Sequence, residues 1–254
     1  MELGLSGKTV LITGSSKGIG LACAHAFAAE GCNLHLVARD AERLEMARLA
    51  ITGRHVVEVT THALDLSASA NVNTLAERAG DVDILVNNAG AIPGGPIDVV
   101  DEATWRVAWD LKVFGYINMT RTFLARMQAR GHGVIVNDIG TGGEKLDYNY
   151  IAGAAGNASL MMFTRAMGTV SLRDNIRVVA VNPGLTVTDR MTTMLKGQAK
   201  EQYGDPERWR ECMPTDPPPS EADDVADLVV FLSSARARMI TGTVLTIDGG
   251  AAGR

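Results

Sequence analysis

Excess positive charge is absent from this chain: 24 Lys and Arg face 29 Asp and Glu, a formal net charge of −5 at pH 7. Neither nucleic acid nor an anionic membrane surface is therefore an expected partner. Long apolar runs are missing too, and nothing approaches the ~18–20 residues needed to span a bilayer. Met1 to Ser6 include Glu2 and lead straight into a strand pattern at Thr9, leaving no room for a signal peptide. The expectation is a cytoplasmic protein. Cysteines are scarce: Cys23, Cys32 and Cys212 form no C-x-x-C and are read as reduced thiols. Five scattered histidines show no paired spacing on a helix face, so no metal site is expected.

What is present begins with Thr13-Gly14-Ser15-Ser16-Lys17-Gly18-Ile19-Gly20, placed after the apolar run Thr9–Ile12 and before a helical pattern over Leu21–Glu30. A strand, a glycine-rich turn and a helix N-terminus in that order form a phosphate site. The glycines let backbone N–H groups come close to a pyrophosphate, and the helix dipole favours its charge. The spacing is G-x-x-x-G-x-G, which differs from the commoner G-x-G-x-x-G.

Strand and helix patterns then alternate to the end of the chain. Strands are expected at 33–38, 56–63, 84–86, 133–137, 176–181 and 243–247. Helices are expected after Asp40, near 67–78 with Ser67 as cap, and over 102–130, 150–172 and 221–232. Strands apolar on both faces with helices between them mean a single-domain α/β protein, a doubly wound seven-stranded parallel sheet. Ligands of such sheets bind beyond the strands' carboxyl ends. Residues 189–219 break the rhythm, mixing Met191, Met194, Leu195, Trp209 and Met213 with charge before Pro217-Pro218-Pro219. This segment leaves from the same edge and is read as a substrate lid.

Thr13-Gly14-x-x-x-Gly18-Ile19-Gly20, Asp65, Asn87-Asn88-Ala89-Gly90, Tyr150 before a small-residue helix, Asn182-Pro183-Gly184 with Thr188, and Ile240-Thr241-Gly242 with Asp248-Gly249-Gly250 stand in order. Together they resemble the short-chain dehydrogenase/reductase family over essentially the whole chain. The resemblance implies a Rossmann-type fold and a bound nicotinamide dinucleotide. Gly14, Ile19 and Gly20 would hold the pyrophosphate and Asp65 would meet the adenine amino group, with Ser16, Gly18 and Leu66 as further cofactor-binding residues. Asn87 and Gly90 would lie against the adenosine side and Pro183, Gly184 and Thr188 would embrace the carboxamide, with Ala89 and Thr186 as further cofactor-binding residues. At the end of the second strand, where an NAD site places a carboxylate on the ribose, the chain has Ala38 and Arg39, with Lys17 across the turn. Two cations suit a 2′-phosphate, so NADP(H) is expected over NAD. Asp40 is read as the cap of the next helix. The resemblance also suggests a homo-oligomer, a tetramer or dimer, assembled through 102–130, 150–172 and the last strand.

The catalytic group departs from the family's Asn, Ser, Tyr and Lys. Tyr150 is present, but Ala154 stands four residues on, where the resemblance calls for lysine. Gly140 takes the serine's place beside Thr141, and Asp110 the asparagine's, in Trp109-Asp110-Leu111-Lys112. A phenol with no cation beside it is mostly protonated at neutral pH, a poor base for alcohol oxidation but a ready acid for carbonyl reduction. Tyr150 is accordingly expected as proton donor to a small carbonyl substrate, Thr141 as the hydroxyl polarising the carbonyl, and Asp110 as the orienter of a water. Lys145 and Tyr148 are alternatives for cation and acid, Asn157 a polar filler on the face of Tyr150, and Glu144 and Asp147 surface charges. The competing reading is a catalytically impaired homologue kept as a cofactor-binding scaffold or partner subunit.

Overall fold

Seven short strands carry the architecture, and their apolar side chains point both ways. In β1 (Thr9–Thr13), β4 (Ile84–Asn87) and β6 (Ile176–Pro183) nearly every residue is buried. With β2 (Asn33–Ala38), β3 (Val59–Ala63), β5 (Gly133–Asp138) and β7 (Val244–Ile247) they form one sheet in the order β3-β2-β1-β4-β5-β6-β7. All pairings are parallel. Burial on both faces is what parallel strands covered by helices require. The structure, a computed structural model, describes residues 2–145 and 147–253.

Two cores sandwich the sheet. On one face α1 (Gly18–Ala29), α2 (Ala41–Thr52) and α8 (Ala222–Ser233) bury Phe27, Leu44 and Val229 against Val10, Leu36 and Val181. On the other, α3 (Ser69–Ala79) and α5 (Gly115–Arg130) bury Leu75, Met119 and Phe123 against Leu11, Leu85 and Ile135. The strand order reverses between β1 and β4, and a crevice opens at such a switch point beyond the strands' carboxyl ends. Asp40 caps α2 by accepting from the Arg43 N–H, as its position predicts, and Gly131 ends α5 in the left-handed region.

Four local expectations are corrected. The third strand starts at Val59, not at residue 56. Ser67 does not cap a helix. The helix begins at Ser69, and Ser67 instead donates its N–H and hydroxyl to Asp65. The stretch 102–130 is helical but not one regular helix: α4 (Glu102–Trp109) and α5 are joined by a π-helical turn at Asp110–Phe114. The segment 189–219 holds a regular helix, α7 (Asp189–Tyr203), and a 3₁₀ turn at Pro206–Cys212. Met191, Leu195 and Ala199 are buried there at helical spacing, which mixed composition concealed. Among the described residues no helix is long and apolar enough to cross a membrane.

Candidate active site

The glycine turn owes its shape to contacts that only glycines allow. Gly14 has φ of 68°, and a Cβ there would lie 2.8 Å from the Asn88 Nδ2. A Cβ at Gly20 would lie 2.5 Å from that same amide and from the Gly14 carbonyl oxygen. Asn88 ties the turn to the crevice, its side-chain amide donating to the carbonyls of Thr13 (2.8 Å) and Gly14 (3.2 Å). The Thr13 hydroxyl accepts from the N–H groups of Asn88 and Ala89 in return. Ser15 is buried against β2, exchanging hydrogen bonds with Val37. Helix α1, unlike α2, α4 and α7, has no side chain over its first N–H groups and no acidic residue in its first turn. These free donors at the switch point are what a pyrophosphate takes up. Ser16 and Ile19 line the same turn, half-buried.

Lys17, in the turn itself, and Arg39, just after β2, are exposed, and neither makes an ion pair or side-chain hydrogen bond among the described residues. The neighbouring Arg43 is already engaged by Asp40 and Asp189. Asp65 has its carboxyl held below the usual range, chiefly by the Ser67 N–H and then by the Ser67 hydroxyl and the Arg39 charge, against partial burial. Leu66 is buried in the core. Asn87 does not face the crevice. Fully buried, it donates to the Asn137 Oδ1 (2.9 Å) and the Thr120 hydroxyl (3.2 Å), and Asn137 passes the chain on to Thr164. The crevice wall is formed instead by Asn88, Ala89 and Gly90.

Across the crevice, Gly184 follows Pro183 and donates to the Ile247 carbonyl, so close to β7 that a Cβ would lie 2.6 Å from that of Asp248. The Thr186 hydroxyl is engaged with Ser220 (3.0 Å) and the Gly184 carbonyl. Thr188 caps α7, accepting from the Met191 N–H, and its methyl group faces Gly18. Arg190, next in the turn, reaches back to donate to the Ile92 carbonyl at 2.7 Å, tying α7 to the loop after β4.

The reacting end is built on the loop after β5 and on the start of α6 (Ile151–Ser171). Tyr150 is the residue before the first turn of α6, half-buried, with its ring lying directly over Gly153. Any Cβ at Gly153 would occupy the ring's place, and one at Gly142 would come 2.9 Å from its Cε1. The two glycines therefore fix the phenol against the Thr141–Gly143 turn, and its hydroxyl makes no hydrogen bond among the described residues. Thr141 is buried in that turn with its hydroxyl likewise unbonded. Asn157, buried on α6, donates to the Gly140 carbonyl at 3.3 Å, and its Oδ1 is buried with no partner. Glu144 is not merely a surface charge: it accepts from the Asn182 amide (2.9 Å) and the Thr246 hydroxyl, pinning this loop to β6 and β7. Lys145, Asp147 and Tyr148 are exposed.

Asp110 is exposed on the π turn, with no side-chain hydrogen bond or ion pair among the described residues. The inward residue is Lys112, which the sequence reading passed over. Its amine is buried, donating to the Asp138 carbonyl at 2.7 Å and to the Tyr116 hydroxyl at 2.9 Å, and its stem lies against Gly90. Burial pulls its pKa down to about 8, with the Asp138 charge opposing and Arg190 adding to the fall. Burial pushes the Asp138 carboxyl up to about 6, with Lys112 opposing. The signal that marks Lys112 is the series Lys112, Tyr116 and Thr120 at four-residue spacing, all buried on the face turned to β4 and β5. Among the described residues no three His, Cys, Asp or Glu side chains gather as a metal site.

The arrangement fits a nicotinamide dinucleotide: open helix donors, a cradle that any Cβ would fill, and two cations, Lys17 in the turn and Arg39 after β2, unengaged among the described residues. Similarity to known proteins agrees with it. The family model for short chain dehydrogenase matches residues 8–199. The 2,3-dihydro-2,3-dihydroxybenzoate dehydrogenase of Bacillus subtilis is 31% identical, over 98% of this chain and 97% of its own. Galactitol 2-dehydrogenase of Cereibacter sphaeroides is also 31% identical, over 97% of this chain and 95% of its own. The L-sorbose reductase of Gluconobacter frateurii, solved with NADPH and L-sorbose, superposes over 100% of both chains with a TM-score of 0.92 and 32% identity. The chain belongs to the short chain dehydrogenase family, oxidoreductases that exchange a hydride between a nicotinamide dinucleotide and a C–OH or C=O carbon.

Proposed function

We propose that the protein is an NADP(H)-dependent reductase of a small carbonyl compound, with Tyr150 as proton donor. The observation that carries this reading is the phenol of Tyr150, set over Gly153 and Gly142 with its hydroxyl unbonded among the described residues and the Thr141 turn beside it. NADPH, when bound, supplies the hydride. Gly14, Gly18 and Gly20 and the open end of α1 hold its pyrophosphate, and Asn88, Ala89 and Gly90 wall the crevice along it. Pro183, Gly184 and Thr188 close the far side. Lys17 and Arg39 hold the 2′-phosphate as charge-assisted hydrogen-bond donors. As the carbonyl carbon is reduced, its oxygen takes the Tyr150 proton, and the Thr141 hydroxyl donates to that oxygen. Residues 189–219 form the lid, held to the opposite wall by the bond from Arg190 to the Ile92 carbonyl.

A homo-oligomer is part of this reading, because α4, the π turn and α6 carry the exposed apolar residues Val107, Phe114, Met162 and Val170. The testing experiment titrates NADPH by fluorescence and screens ketones and ketoses with the wild type and Tyr150→Phe. Turnover that falls by about 100-fold or more in the variant, with NADPH affinity kept, supports the assignment. Tight NADPH binding without turnover on any carbonyl would leave a cofactor-binding scaffold.

A further inference from the structure

One buried charged group near this site has no part in the chemistry so far. Lys112 is 8% exposed, and lysines are almost never buried without a partner that repays the loss of water. Its two protein partners are neutral, the carbonyl of Asp138 and the hydroxyl of Tyr116. An ammonium has three N–H bonds, so one is left without a partner among the described residues. The stem of the side chain runs along Gly90, in the crevice wall, where any Cβ would displace it.

Its position relative to the phenol follows from the backbone. Lys112 holds the carbonyl of residue 138 and Asn157 the carbonyl of residue 140, two residues further on. Two residues span at most ~7 Å of chain. Asn157 in turn faces Gly142, and Gly142 faces the Tyr150 ring. The amine, the Asn157 amide and the phenol thus follow one another along a single short loop. The charged and titratable groups around the amine are the Asp138 carboxyl from β5, Tyr116 from its own helix and Arg190 from α7.

We infer that Lys112 is the positive charge of the reaction centre, a positioning residue whose field favours proton transfer from Tyr150 to the substrate oxygen. In that step the O–H bond of the phenol breaks as an O–H bond forms on the substrate, and the electron pair stays on the phenolate. The field of an ammonium in a crevice of low dielectric stabilises that phenolate, and solvent later returns the proton. The inference rests on the reductase reading above and adds that its cation comes from the π turn, not from α6.

The test has two arms. In the first, the reduction rate at saturating substrate is followed against pH for wild type, Lys112→Met and Lys112→Arg. The wild-type rate falls as pH rises through about 8, where Lys112 loses its charge. Lys112→Met loses about 100-fold in kcat with KM nearly unchanged, and the alkaline fall disappears, while Lys112→Arg recovers part of the rate. A Lys112→Met enzyme with normal kcat and an unchanged alkaline limb overturns the inference, whatever its melting temperature.

The second arm needs no turnover. The Lys112 amine is titrated by NMR in lysine-labelled wild-type protein, with Lys112→Gln for assignment. NADP⁺ lowers its midpoint more than NADPH does, because only the oxidised ring carries the extra positive charge. Equal midpoints in both complexes sink the inference even if no carbonyl substrate is found. Loss of the reductase reading alone would show as an absence of turnover in wild type with the two midpoints still apart.

Discussion

The two halves of the crevice are built on different terms. On the β1–β4 side almost every polar group that shapes the turn is paired. Asn88, Thr13 and Ser15 exchange hydrogen bonds with one another's strands, and glycines stand where a side chain would collide. On the β5–β6 side, among the described residues, the Oδ1 atoms of Asn157 and Asn182 are buried without partners, as is that of Asn87 on β4; the Tyr150 and Thr141 hydroxyls are unbonded, and a lysine is buried on neutral partners. A buried polar group left unpaired costs on the order of 1–3 kcal/mol. In the first half a rigid, paired turn thus holds open the donors of α1, whereas in the second the side chains of the reacting end are themselves the unfilled hydrogen-bonding positions. Binding of the dinucleotide and chemistry on the carbonyl are therefore separable by substitution.

The strongest attempt to break that separation is Gly14→Val. It places a branched side chain at positive φ against the Asn88 amide. The expected cost is about 1–3 kcal/mol of stability and about 100-fold or more in NADPH affinity, read by thermal melting and fluorescence titration. Asn88→Ala comes next. Freeing the carbonyls of Thr13 and Gly14 lowers stability by about 1–3 kcal/mol and weakens NADPH and NADH alike. Arg39→Ala sharpens the comparison from the cofactor side, with NADPH weakened about tenfold and NADH little changed. Equal losses for both dinucleotides would remove the 2′-phosphate assignment.

The smallest effect separates the halves by pH. On the β2–β3 side, His35 and His62 share a hydrogen bond of 2.9 Å, and burial, then the neighbouring His35, lowers His62 to about 4. The unfolded chain binds that proton more readily, so this stability is present above about 6.5 and is lost as pH falls towards 4. Asp138, raised to about 6, has the opposite sign: its contribution is full below its ordinary value of 3.8 and is lost as pH rises through about 6. Melting temperatures from pH 4 to 7 should show His62→Gln flattening the acid-side loss and Asp138→Asn flattening the other. Unchanged slopes in both variants would contradict the two assignments.

Most of the fold was legible because parallel strands buried on both faces are short apolar runs, and Gly131 and Asp40 mark helix ends by known chemistry. The glycine turn was legible for the same reason, since steric exclusion is written in residue type. Three features were not. Helix α7 was hidden because charged and apolar residues alternate along it and no cap other than Thr188 stands out. Asn87 was read as a cofactor contact because its motif borders the crevice, whereas strand alternation turns its amide into the polar chain to Asn137 and Thr164. Lys112 is not marked in the sequence because nothing in Trp109–Gly115 announces a change of helical pitch. No proline stands there, and the apolar spacing runs on.

That change of pitch bears on how this protein is compared with its relatives. A π turn holds one more residue than a regular turn, so the helix before it and the helix after it are out of register by one residue, and Lys112 is the side chain that this offset buries beside Gly90. Counting forward from Trp109 selects an acid facing water; counting back from the glycine at 115 selects a buried base. Loss or gain of one residue at this bend would turn the amine of Lys112 away from Gly90 while leaving Tyr150 and the glycine turn as they are.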